Sequence, residues 1–145
     1  MQLHHINIKA PSELLDAEKH FFLDVLGLTE GPRPAFTSPG YWLYSGDHPI
    51  VHLSVSQQHF ASERQGYFDH VAFQSTGLPS FLKRLENAGL DYSTSHIDAT
   101  ATTQIFLHSP TGTKIGPPVS KALSPRLRPS TPAIAIQRTW SSPRC

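Results

Sequence analysis

His5 and His70 stand 65 residues apart, each inside a short alternating apolar run, Leu3-His4-His5-Ile6-Asn7-Ile8 and Phe68-Asp69-His70-Val71-Ala72-Phe73. Imidazole binds transition metals as a neutral ligand and titrates near neutral pH, so a pair repeated at a fixed interval is the feature most suited to chemistry. The same interval of 65 separates Ser12 from Gly77, the residues that open the amphipathic segments after each run. Core packing alone explains such matching poorly. A duplicated module that brings its two first strands together would place both imidazoles on one divalent ion. His52 lies 47 residues after His5, in the run Ile50-Val51-His52-Leu53, and reads equally as a third ligand or as a satisfied half-buried histidine. The same offset from His70 leads to position 117, or to 116 with one residue of slack. Gly116 and Pro117 stand there, and neither carries a side-chain donor.

The remaining polar candidates have plainer alternatives. Period two sends His4 and Asp69 to the faces opposite His5 and His70, so both are expected at the surface, although a carboxylate beside a ligand histidine is also a common orienting partner. Tyr41, Trp42 and Tyr44 are candidate walls of a substrate cavity, against ordinary core or cross-strand roles. His108 ends a strand beside a turn and is a candidate lining residue, against a surface role. Arg33 and Arg64 would suit an anionic substrate, against solvated loop charges. His20, His48, His59 and His96 are expected to be solvated.

Two modules must position these groups. Residues 2–8 read as a strand, and Pro11-Ser12 opens a helix with Ser12 as its expected N-cap. Leu14, Leu15, Phe21, Phe22, Val25 and Leu26 recur at helical spacing up to Gly27. Runs at 28–30, 41–44 and 50–55, punctuated by Pro and Gly, are expected strands. The pattern then repeats: a strand at 67–73, a helix at 78–88 closed by Gly89, strands at 91–95 and 103–108, and a turn at Ser109-Pro110-Thr111-Gly112. Thr113-Lys114-Ile115 begins a last strand, which Gly116-Pro117-Pro118 is expected to stop because proline removes ladder donors. The expected fold class is α+β: two paired βαβββ modules forming a curled mixed sheet around a cleft, at 1–56 and 67–115, joined by a polar connector at 57–66.

Composition bounds the rest. The chain of 145 residues, 38% hydrophobic and 16% charged, suits one soluble domain or two small modules with a shared core. No apolar run approaches a membrane span. The first residues already alternate like a strand, so no leader peptide is expected. The single cysteine, Cys145, allows neither an internal disulfide nor a cysteine metal site, which fits the cytoplasm. Residues 1–115 carry a net charge of −4, while 116–145 carry +5 with no acid and 6 of the 13 prolines. Such a Pro-rich basic tail is expected to be disordered, and it lacks the aromatic interleaving of a nucleic-acid site. The abrupt change after Ile115 suggests a replaced or out-of-frame ending.

Taken in order, the paired modules, the first-strand His5, the "DHVAF" strand with His70 and the closing turn resemble the vicinal oxygen chelate superfamily of glyoxalase I, bleomycin- and fosfomycin-resistance proteins, and extradiol dioxygenases. The resemblance covers about residues 2–115. It implies a divalent metal on His5 and His70, with His52 as a further ligand. Fe, Mn, Ni, Zn and Co are not distinguished. It also implies a small substrate with adjacent oxygens, processed either by a glyoxalase-like lyase or isomerase or by a ring-cleaving dioxygenase. The metal would stabilise an enediolate as a Lewis acid or activate O₂. In the family the closing turn reads Asp-Pro-x-Gly-x-x-Ile-Glu. Here Gly116 stands where the Glu ligand is expected, which impairs that chemistry and favours the alternative, a non-catalytic protein that sequesters a small molecule as bleomycin-resistance proteins do. A homodimer is implied by the resemblance; nucleic-acid and membrane partners are not expected.

Overall fold

The computed structural model describes residues 1–57, 67–75, 77–98, 102–116 and 118–119. His59, Arg64, most of the expected connector and residues 120–145 lie outside the described residues.

Strand β1 (Ile6–Ala10) runs straight into helix α1 (Ser12–Asp24). Pro11, extended at φ −57° and ψ 155°, takes the cap position, so Ser12 is the first helical residue rather than the expected N-cap, and no side chain caps this end. The helix closes over Gly27, whose φ of 76° turns the chain so that the Leu28 N–H donates to the Phe22 carbonyl at 3.1 Å. Strands β2 (Thr29–Gly31), β3 (Gly40–Ser45) and β4 (His48–Val55) follow, β3 and β4 forming a hairpin through Gly46 and Asp47. The first sheet has the order β1-β4-β3-β2, with β1 parallel to β4 and the other pairs antiparallel.

The second module copies this in weaker form. Helix α2 (Leu78–Asn87) ends in a Schellman turn: the Leu90 N–H donates to the Leu85 carbonyl and that of Gly89 to Glu86, with Gly89 at φ 61°. Strands β5 (Ser93–Ile97), β6 (Thr102–His108) and β7 (Lys114–Ile115) pair antiparallel in sequence order. The expected strand at 67–73 is corrected to an extended segment with one parallel bridge, Val71 to Ile115. Two bonds bracket that bridge, from the Val71 N–H to the Lys114 carbonyl and from the Gly116 N–H to the Val71 carbonyl. The bridge is the counterpart of Ile6 opposite Val51 in the first module. The segment does not lengthen into a strand because β7, its partner, is only two residues long. Pairing nevertheless resumes at β8 (Pro118–Val119), where the sequence pattern places the end of the strand. Gln104 opposite Pro118 keeps the register set by Leu107 opposite Ile115, so β7 and β8 lie on one line along β6.

One apolar cluster joins the modules. Leu15, Phe21, Phe22 and Val25 of α1 belong to it, as do Leu43, Val51 and Leu53 of the first sheet and Phe81, Leu85, Ile105, Leu107 and Ile115 of the second module. The Phe22 ring meets Phe73 edge-on at 6.0 Å. Two polar ties cross the same seam. Arg84 donates from Nε to the Val25 carbonyl at 2.7 Å, and the Thr111 N–H donates to Glu18 Oε2 at 2.9 Å. Glu18 is fully buried on the apolar stripe of α1, and burial pushes its carboxyl above the ordinary value against the pull of its bonds to Ser109 and Thr111. Among the described residues no helix is long and apolar enough to cross a membrane.

Candidate functional site

The register of the first sheet lines up a row across three strands: Asn7 on β1, His52 on β4 and Trp42 on β3. Alternation sends their neighbours Leu43, Val51 and Leu53 to the core, so the row lies on the opposite face. His5 stands two residues ahead of Asn7 and shares that face. Its ring stacks on His52 with centroids 3.9 Å apart and planes 15° from parallel. Trp42 also stacks on His52, at 4.1 Å and 7°. Two rings this close cannot share one face of a third, so His52 is sandwiched between His5 and Trp42. The sandwich leaves His52 9% exposed, with its Nε2 buried and without a hydrogen-bond partner. Burial, and then the neighbouring His5, hold its imidazole below the ordinary histidine value. His4 joins from the edge, its Nδ1 2.9 Å from His5 Nδ1, so one of these two nitrogens is the donor.

His70 belongs to a second group. Its Nδ1 pairs with Asp69 Oδ2 at 2.6 Å, and Lys114 Nζ reaches the same oxygen at 2.9 Å. These two partners, His70 first, hold the Asp69 carboxyl below its usual range. Asp69 is exposed, as the surface reading expects, but the expectation that it faces away from His70 is corrected. Alternation holds only along a regular strand, and this segment is not one, so Asp69 turns back onto His70. The His70 ring sits edge-on to Phe106 at 5.1 Å. Gly116 is buried beside both. A Cβ there would lie 2.8 Å from Phe106 Cε1 and 3.0 Å from His70 Cδ2, so Phe106 and His70 close the space where a side chain at 116 would begin.

The other sequence candidates scatter. Tyr41 turns to α1, donating its hydroxyl to Asp16 at 2.7 Å, and that bond pushes its phenol above the ordinary value. Tyr44 donates to the Pro32 carbonyl at 2.6 Å. His108 is exposed and pairs across the strands with Lys114. Trp42 alone of these four lines the cleft on the His52 face, a space of about 310 Å³ that also touches Asn7, Lys9, Arg33, Phe36 and Ser54. A larger cavity of about 620 Å³ lies at the seam between the modules, bounded by Leu3, Leu26, Leu28, Ile50, Phe73 and Phe81. Arg33 and Phe36, at the cleft wall, come from a loop whose sequence carries no periodic pattern. Their only signal is a cation and an aromatic residue among prolines.

These donors do not fit a metal centre in this arrangement. Each ligand nitrogen must aim an in-plane lone pair at one point about 2.0–2.1 Å away. The His5 and His52 rings, face to face and nearly parallel, share no such point. Position 116 supplies no carboxylate and has no room for one. Among the described residues no group of three or more His, Cys, Asp or Glu side chains is placed to hold a metal ion.

No family model matches the sequence, nor does any curated protein. Solved structures do match. A putative glyoxalase family protein from Bacillus anthracis superposes with a TM-score of 0.67 at 21% identity, over 83% of this chain and 96% of that one. A glyoxylase/bleomycin resistance protein/dioxygenase domain from Frankia sp. EAN1pec gives 0.67 at 13% identity, over 83% and 93%. A fosfomycin resistance protein from Listeria monocytogenes, complexed with Mn(II) and a dihydroxypropylphosphonic acid, gives 0.57 at 12% identity, over 80% and 90%. At these identities the likeness is one of fold.

Proposed function

We propose that this chain, which has the vicinal oxygen chelate fold, binds and sequesters a small molecule in the cleft beside Trp42 and His52 and does not run a metal-centred reaction. The observation that carries the reading is the sandwich of His52 between His5 and Trp42. It turns two candidate ligands into a stacked wall and gives the cleft an aromatic floor. The closed space at Gly116 supports it from the second module. A pocket with one aromatic wall and a few polar groups holds and orients a ligand without needing a nucleophile or base.

The metal-dependent lyase or dioxygenase is the second reading. The buried, partnerless Nε2 of His52 favours it, because a metal would satisfy that nitrogen if the His5 ring turned out of the stack. Metal titration of the purified protein with Fe(II), Mn(II), Ni(II), Zn(II) and Co(II), beside His5→Ala and His70→Ala, separates the two. Sequestration expects less than one equivalent of metal and no change in the variants. One equivalent, lost in both variants, would replace it with the enzyme. A homodimer belongs to either reading, since Leu3, Tyr67 and Phe68 stay exposed on the monomer; a monomer in sedimentation equilibrium at 100 μM would exclude it.

A further inference from the structure

We propose that the ligand of the cleft is a planar organic anion, its ring against Trp42 and Phe36 and its acidic group on Arg33; this inference rests on the sequestration reading. The charge of the wall argues for it first. Residues 1–115 carry a net −4, yet the cleft is lined by two cations, Lys9 and Arg33, and by no carboxylate among the described residues. Neither cation is in an ion pair among the described residues. A site of sign opposite to its surroundings draws in and holds an ion of the other charge.

Arg33 is also set in place in advance. Its Nη2 donates to the Ser38 carbonyl at 2.7 Å, and its guanidinium lies 4.7 Å over the Phe36 ring. Its Nε is buried with no acceptor. One bond and one stack thus fix the plane of the fork, while a donor inside the protein stays unpaired. A carboxylate or other two-oxygen anion in the cleft would meet the outer N–H groups of this flat, charged fork, which suit paired oxygens. The aromatic side completes the description. Phe36 stands 6.1 Å from Trp42 at 44°, and Trp42 already stacks on His52, so a flat ring entering beside Arg33 meets aromatic surface. A cleft of about 310 Å³ suits a ligand of one or two fused rings.

The test uses the full chain carrying Trp140→Phe, so that Trp42 is the fluorescent reporter. Three probes are titrated: 2-naphthoate, the neutral 2-naphthalenemethanol, and the non-planar cyclohexanecarboxylate. The expected order places 2-naphthoate at least tenfold tighter than either of the others. Arg33→Gln should remove the preference over the neutral alcohol, Arg33→Lys should retain part of it, and far-UV circular dichroism should be unchanged in both. Equal affinity for naphthoate and the alcohol, or an Arg33→Gln protein that keeps the preference, overturns the anion inference and leaves sequestration standing. Equal affinity for naphthoate and cyclohexanecarboxylate overturns the planar part. No binding of any probe to folded protein overturns the inference and the sequestration reading together.

Discussion

At the scale of single residues, Gly116 decides what the second module can do. Arithmetic on the repeat marks 116 as the place for a fourth donor and finds none. Only the structure adds that Phe106 and His70 already occupy the approach to it. Gly116→Glu alone should therefore destabilise the protein by about 1–3 kcal/mol, the usual cost of overpacking, and should not create a metal site. Urea unfolding of Gly116→Glu beside the double variant with Phe106→Ala checks this, because removing the ring should recover part of the lost midpoint if the clash is the cause. The Asp69 pair works differently. It is exposed to solvent, so Asp69→Asn should leave the urea midpoint close to that of the parent despite its short contacts. The equivalence of His5 and His70 was legible from spacing. Their separate neighbourhoods were not, because ring stacking depends on which strands lie side by side, and a period-two pattern does not name the neighbour.

Among the elements, those read correctly are the ones whose order is local. Both helices follow their apolar stripes, and α2 stops where Gly89 permits a left-handed turn. Gly89→Ala forces a side chain into that conformation and should cost about 1 kcal/mol, measured as a lower thermal midpoint with unchanged helix content. The segment 67–73 has as good an alternating pattern as β1, yet it pairs at one residue. A strand needs a partner of its own length, and alternation says nothing about whether one exists. β1 is paired along its whole length, Ile6 to Ala10, with Val51 to Val55 of β4, whereas Val71 meets only the two-residue strand β7. The two prolines were visible, but the return of pairing at Pro118 and Val119 was not, since the register of the far half is fixed by β6 rather than by the prolines.

For the whole molecule, Glu18 is the residue that the sequence pattern passes over. It falls on the stripe that runs from Leu15 to Phe22, where an apolar residue is expected. A charge at such a position was the available signal that something across the seam must receive it. Burial raises its carboxyl in the folded state, so the fold holds that proton more tightly than the unfolded chain does. Stability from this group is therefore present in full below about pH 4.5 and is lost as pH rises through the higher folded value. Glu18→Gln keeps an acceptor for the Thr111 amide and removes the buried charge. Urea midpoints should show it about 1 kcal/mol more stable than the parent at pH 8, with the gap closing toward pH 4. The same bond has a kinetic side. The Thr111 amide sits in a turn of the second module but is closed by a helix of the first, 93 residues earlier. In native-state hydrogen exchange this proton should therefore be released together with the amides of α1, not with those of the neighbouring β6–β7 hairpin. A turn that exchanges with a distant helix would mark the two halves as one cooperative unit, opened from the side of the first.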